Sequence, residues 1–198
     1  MTEPEEKKFN KEGLASFLVP LSDTQTTLRE AYARLMAVGN PPTDVPLIIR
    51  IAENPNYHYG GLGFFKGRIS LEQHDYAHII LGRGLTLMDE AFVIGFTMGS
   101  SDLVSTFEER LFAFLASRIY PKPYRFPRDG VRVYRDAVHL GYVSACQPIE
   151  DIDFTPMLDQ PLGEIRQAIG LETELLEAYY AIEAKRFPNS RASRRLVA

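Results

Sequence analysis

His74, Asp75 and His78 fall within the five residues H-D-Y-A-H, and Glu90 follows after eleven more. Residues four apart lie one above the other on an α-helix, so the two imidazoles would face a single point as a two-pronged clamp for a metal ion. Asp75 is three residues before His78 and borders the same face, either as a ligand or as the partner that orients an imidazole. Glu90 reaches the site if the turn through Gly82 and Leu85 reverses the chain. Two His with one or two carboxylates suit zinc with an open position, or iron(II) in a two-His-one-carboxylate set. The competing reading is a His pair that merely packs and hydrogen-bonds. Only four His occur in the chain, and two of them share this spacing with acids correctly placed, which favours the metal. His58 and His139 have no neighbour at ligand spacing. His139 is expected to be a packed or interface residue, and His58 could at most reach the site from a loop.

Composition narrows the functional classes around such a site. A chain of 198 residues, 45% of them apolar, is long enough for one well-buried core. Its net charge of -4 argues against nucleic acid, whose phosphates call for a concentrated basic surface. Cys146 is alone, so no cysteine cluster is available for zinc, and a reducing compartment fits. The apolar run 91–99 is far short of the roughly 20 residues of a spanning helix, and no signal-peptide pattern opens the chain. Residues 184–198 carry Lys185, Arg186, Arg191, Arg194 and Arg195 with no acid. That segment is expected to be a solvated terminus, with docking to an anionic surface as the second reading.

Elements must bring His74, His78 and Glu90 together. Ser70 with Gln73 reads as a capping box opening a helix to about Leu81, stopped by Gly82 and Gly84. Thr86 with Asp89 opens the next, apolar almost all round through Met98 and therefore a core helix. A third is expected to bury Leu103, Phe107, Leu111, Phe114 and Leu115, with Pro121 and Pro123 closing it. Helices are also expected over about 24–38, 44–52, 128–145, 162–169 and 172–186, with Gly141 and Ala145 permitting close packing. The glycine-rich connection holding Gly60, Gly61 and Gly63 is a candidate lid. The result is an all-α, single-domain bundle of about eight helices. It comprises a mobile tail over 1–12, a metal-binding domain over 13–187 and a basic tail over 188–198.

The pattern H-D-Y-A-H, eleven residues, then Glu resembles the H-D-x-x-H-x11-E signature of the ubiquinone (coenzyme Q) biosynthesis protein four family. Leu81-Gly82 is similar to that family's Leu-Gly, and Pro161-Leu162-Gly163-Glu164-Ile165-Arg166 with Ile169-Gly170-Leu171 is similar to its closing P-L-x-E-x-R-x-x-L-G-I. The likeness frames roughly residues 65–171. It implies that His74, Asp75, His78 and Glu90 bind the metal, Zn2+ or Fe2+, and act in catalysis. It also implies an all-helical fold holding a polyprenyl tail beside the metal, on a cytoplasmic protein bound peripherally to the inner face of the membrane. The implied reaction replaces the carboxyl of a polyprenylated hydroxybenzoate-type ring by hydroxyl. Implied partners are a polyprenylated aromatic or quinone lipid, the membrane surface and other quinone-biosynthesis proteins; a homodimer is left open. The family usually has Gly directly before the motif Glu, whereas this chain has Asp89.

Two rivals remain at this level. A zinc hydrolase would resemble H-E-x-x-H proteases, but Asp75 is one methylene shorter than their general base. A lipid-binding scaffold of a quinone-biosynthesis complex would use zinc only as a staple, with four protein ligands and no open position. Phe92, Phe96, Phe107 and Phe114 are expected to be core, with the wall of a tail pocket as the alternative.

Overall fold

The computed structural model describes residues 16–38, 70–101, 104–120 and 122–197. The expected helix over 44–52, the Gly-rich candidate lid, the N-terminal tail, His58 and Leu103 lie outside the described residues. Among the described residues eight α-helices follow in order: α1 Leu28–Val38, α2 Leu71–Ile80, α3 Leu87–Ser100, α4 Thr106–Phe114, α5 Arg128–Val143, α6 Leu162–Ala168, α7 Thr173–Arg186 and α8 Arg191–Arg194. The β pairing among the described residues is one isolated bridge, Thr27 with Pro161, so the expected all-α class is correct.

Polar caps set the helix starts. Ser70 and Gln73 exchange side-chain and backbone hydrogen bonds at the head of α2, as Thr86 and Asp89 do at the head of α3. A third capping box, Ser105 with Glu108, opens α4 later than the sequence suggested. Helix α1 also starts later than residue 24. Asp23 accepts from the Thr26 amide and hydroxyl, which holds a turn there, and Thr27 with Glu30 then caps the helix.

Helix α3 is apolar on every side because it separates two apolar clusters. Phe92 and Phe96 belong to the larger, with α1, α2, α6 and α7; Ala91 and Met98 face the smaller, with α4 and α5. The glycines let α3 and α5 meet backbone to backbone. A Cβ at Gly95 or Gly99 would overlap the carbonyls of Tyr134 and Val138, and one at Gly141 would overlap that of Phe96. Gly141 thus packs as the sequence suggested, while Ala145 lies beyond the end of α5.

Helix α4 corrects a second expectation. Its buried face is Phe112 and Ala113, continued by Ala116 and Tyr120, while Phe107 is 72% and Phe114 55% exposed. This helix is apolar on two faces, and the small Ala113 and Ala116 face the bundle, where they admit close approach. The chain then widens into a π-helical turn, Leu115–Ile119. Phe92 and Phe96 are fully buried core, as expected.

Candidate metal site

The turn between α2 and α3 decides whether Glu90 returns to the histidines. Gly82 adopts φ +65°, the left-handed conformation open to glycine; its amide donates to Ile79 O at 3.1 Å and that of Arg83 to His78 O at 2.8 Å. These paired bonds are a Schellman stop, which ends α2 and turns the chain back. The last carbonyls of α2 are met by Arg166, which donates to Ile80 O at 3.0 Å and Ile79 O at 3.3 Å, and also to Leu21 O and Asp23 O. A buried cation at a helix C-terminus answers both the orphan carbonyls and the dipole. Arg166, noted in the sequence only as part of a motif, is therefore a pin that fixes α2 from α6.

Thr86 then caps α3, and Glu90 stands in its first turn. His74 Nε2 lies 3.0 Å from Glu90 Oε2, His78 Nε2 lies 3.3 Å from Glu90 Oε1, and the two Nε2 atoms are 3.0 Å apart. Ligands held about 2.1 Å from one ion stand roughly 3.0 Å apart at right angles and about 3.4 Å apart in a tetrahedron. The separation of the two Nε2 atoms matches such an edge, and the carboxylate meets each imidazole with a different oxygen, Oε2 at His74 and Oε1 at His78. His74, His78 and Glu90 are the group among the described residues whose ligand atoms all fall within 4.8 Å of one another.

Proton accounting supports the same reading. His78 is fully buried, and its Nδ1 lies 2.6 Å from the carbonyl of Gly84, which can only accept. The proton of neutral His78 is thereby assigned to Nδ1, leaving a bare lone pair on Nε2 aimed at the cluster. Neutral His74 has at most one N–H to place between Glu90 and His78. With both imidazoles neutral, the three groups have at most one proton to share, and that form of the cluster is the one suited to a cation.

The carboxyl of Glu90 stays ionised beside the imidazoles. Burial works to raise its pKa, but the imidazoles of His78 and His74 outweigh burial and hold the carboxyl well below the usual range. The Glu90 side chain is 30% exposed and that of His74 20%, so the cluster opens to solvent on one side. Asp75 is half-buried and outside the three-residue cluster. Burial is the main cause that raises its carboxyl pKa; His74 and His78 act against the rise and Glu90 adds to it. The structure therefore brings together three of the four residues singled out from the sequence and leaves Asp75 outside that group. His139 is exposed on α5, away from the cluster.

Beside the cluster lies a group that sequence reasoning missed. Arg83, fully buried, forks onto Glu183 of α7 at 3.2 and 2.6 Å and is stacked between Phe92 and Tyr180, 3.8 and 4.2 Å from their ring centres. Fully buried Asp89 accepts from the Thr86 amide at 2.9 Å and hydroxyl at 2.7 Å and pairs with Arg195. Ser193, also buried, donates to Glu183 at 2.9 Å. The segment from Arg191 to Val197 is thus α8 and a 3-10 turn packed on the bundle, not the solvated terminus expected. One clue was available: the residue following a Schellman glycine usually turns back onto its helix, and here that residue is Arg83.

No family model, no curated protein and no solved structure matches this chain. No helix among the described residues is long and apolar enough to cross a membrane.

Proposed function

We propose that His74, His78 and Glu90 hold one divalent metal, and that the protein is an enzyme using it on an aromatic substrate. The observation that carries this reading is the convergence of two Nε2 atoms, 3.0 Å apart, on one carboxylate whose two oxygens lie 3.0 and 3.3 Å from them, in a cluster open to solvent on one side. Three ligands on one face leave coordination positions for substrate, the pattern of two-His-one-carboxylate iron sites and of catalytic zinc.

The substrate class follows from the likeness of H-D-Y-A-H-x11-E and the closing motif to the ubiquinone biosynthesis protein four family. On that basis the reaction is oxidative decarboxylation of a polyprenylated hydroxybenzoate-type ring, in which hydroxyl takes the place of the carboxyl. Ring acid, dioxygen, two protons and two electrons from an external donor give phenol, carbon dioxide and water. Iron(II) in this site would supply the activation of dioxygen. The chain's own part is to orient: the Gly84 carbonyl holds the His78 ring, the Thr86–Asp89 cap fixes the first turn that carries Glu90, and the apolar helices around them limit water. The same likeness is the ground for peripheral attachment to the inner face of the membrane, for a prenyl lipid partner and for contact with other quinone-biosynthesis proteins.

The test has two stages. Protein purified without oxygen should carry about one iron or zinc per chain, and Glu90→Gln should carry much less. In a cell lacking its own member of that family, wild type should restore ubiquinone, while Glu90→Gln accumulates the prenylated precursor still bearing its carboxyl. Full restoration by both Glu90→Gln and His74→Ala would remove catalysis and favour the scaffold.

A further inference from the structure

The C-terminal segment reaches the metal-binding residues through one side chain. Arg195 is only 13% exposed and pairs with Asp89, the residue directly before Glu90. Its guanidinium also lies over Gly84, where any Cβ would overlap it. Gly84 supplies the carbonyl that orients His78, and Asp89 caps the turn that carries Glu90. One guanidinium therefore braces the supports of two of the three ligands. Asp89 stands where the resembling family usually has Gly, so the carboxylate that Arg195 engages belongs to this chain's own sequence.

The segment is held in place independently of that contact. Ser190 caps α8 by accepting from the Ser193 amide, Ser193 donates to Glu183, and Glu183 is fixed by Arg83 in its aromatic sandwich. Ala192 is buried in the main core and Leu196 packs against it. Arg195 is thus delivered from a rigid platform, so displacing it would move Asp89 and Gly84 rather than relax the terminus.

Resting on the metal reading above, we infer that the C-terminal segment is a strap and that Arg195 is a positioning residue of the metal site. It sets the His78 ring through Gly84 and the Glu90 backbone through Asp89 without touching the metal. Groups that orient ligands from behind change metal affinity by about 10- to 100-fold when removed.

The experiment is a cobalt(II) titration of the metal-free full chain, read by its visible absorption bands, with circular dichroism and thermal melts as folding controls. Wild type should bind one cobalt. Arg195→Ala and Asp89→Asn should each weaken binding by about 10- to 100-fold and alter the bands. The double variant should lose less than the two single losses combined, because they share the Arg195–Asp89 contact. Arg195→Lys, which keeps the charge but not the fork over Gly84, should fall between. Nitrogen NMR of the imidazoles in metal-free protein adds a readout independent of metal: His78 should carry its proton on Nδ1 in wild type and lose that preference in Arg195→Ala. Folded variants with wild-type affinity, bands and His78 tautomer would overturn the strap. If Arg195→Ala fails to fold, Arg195→Lys and Asp89→Asn decide by the same criteria. If wild type takes up no cobalt, the metal reading falls, and the His78 tautomer alone decides whether the strap positions that ring.

Discussion

Two clusters of charged side chains flank the turn between α2 and α3, and they are built on opposite principles. Arg83, Arg195, Asp89 and Glu183 set two cations against two anions, paired and buried. Across the turn, the Nε2 atoms of His74 and His78 lie 3.0 Å apart and each meets an oxygen of the Glu90 carboxylate. Burial of charge is tolerated where partners match it, so the first cluster is what a stable interior permits. The second sets two imidazoles against one carboxylate and opens to solvent on one side. A buried ion-pair network thus stands beside a solvent-facing group of metal-ligand type.

The largest effect should come from unbalancing the first cluster. Arg83→Met leaves Glu183 buried without its fork and should lower stability by about 3 to 5 kcal/mol, measured by urea unfolding. In wild type, burial opposes the charge of Arg83, but Glu183 and the other surrounding groups raise its pKa on balance. Arg83→Met with Glu183→Leu should recover much of the loss, because an apolar pair of similar volume leaves no orphaned charge. An Arg83→Met protein as stable as wild type would erase the distinction between the clusters.

The second cluster should respond to metal rather than to unfolding. Glu90→Gln should leave the metal-free protein within about 1 kcal/mol of wild type, since the replacement is nearly isosteric and half-open to water. Zinc at a hundred times its dissociation constant should raise wild-type stability by about 2.7 kcal/mol, and Glu90→Gln far less at that concentration. His78→Ala should lose stoichiometric metal while keeping most of its helicity, as metal analysis and circular dichroism would show. Equal stabilisation of wild type and Glu90→Gln would mean that the metal binds elsewhere.

Much of the second cluster was legible in the sequence, and almost none of the first. The spacing of His74 and His78, the caps at Ser70 and Thr86 and the stop at Gly82 act over four residues or fewer, so their geometry is nearly fixed by local rules. Arg83 and Glu183 are 100 residues apart, and Asp89 and Arg195 are 106 apart. Charged residues are mostly exposed, and local spacing gives no reason to bury these four. The misread face of α4 has another cause. Phe107 and Phe114 lie at helical spacing as convincingly as Phe112 and Ala116, and periodicity alone does not decide which stripe turns inward.

A buried titratable group with no cation beside it should simply stay neutral, and Cys146 tests that corollary. Burial, with Glu172 adding to it, pushes the thiol up to about 12. In the unfolded chain the ordinary value is about 8.5. The preference for the folded state from this group is therefore complete below about pH 8.5 and is lost as pH rises towards the folded value. Cys146→Ala should flatten that alkaline decline in the urea midpoint. At pH 8, iodoacetamide should label Cys146 slowly in native protein and rapidly in urea, as mass spectrometry would record. Rapid native labelling would show that the thiol is not shielded as its burial implies.

The smallest effect should come from an ion pair that looks strong on geometry alone. Arg29 forks onto Asp159 at 2.7 and 3.0 Å, as good a pair of bonds as Arg83 makes with Glu183, yet the two side chains are 58% and 79% exposed. Water screens exposed charges, and ordering two such side chains costs entropy, so a well-formed surface pair adds little. The loop that carries Asp159 is held to α1 without it: the amide of Leu28 donates to Gln160 O and that of Arg29 to Leu158 O. Asp159→Asn should leave the urea midpoint unchanged within error at both low and high salt. The contrast with Arg83→Met then isolates burial as the variable, since number and length of hydrogen bonds are nearly the same in the two pairs. A large loss in Asp159→Asn would mean that bond geometry, not removal from water, sets the energy of these contacts. The division drawn between the buried ion pairs and the solvent-facing cluster would then lose its physical basis.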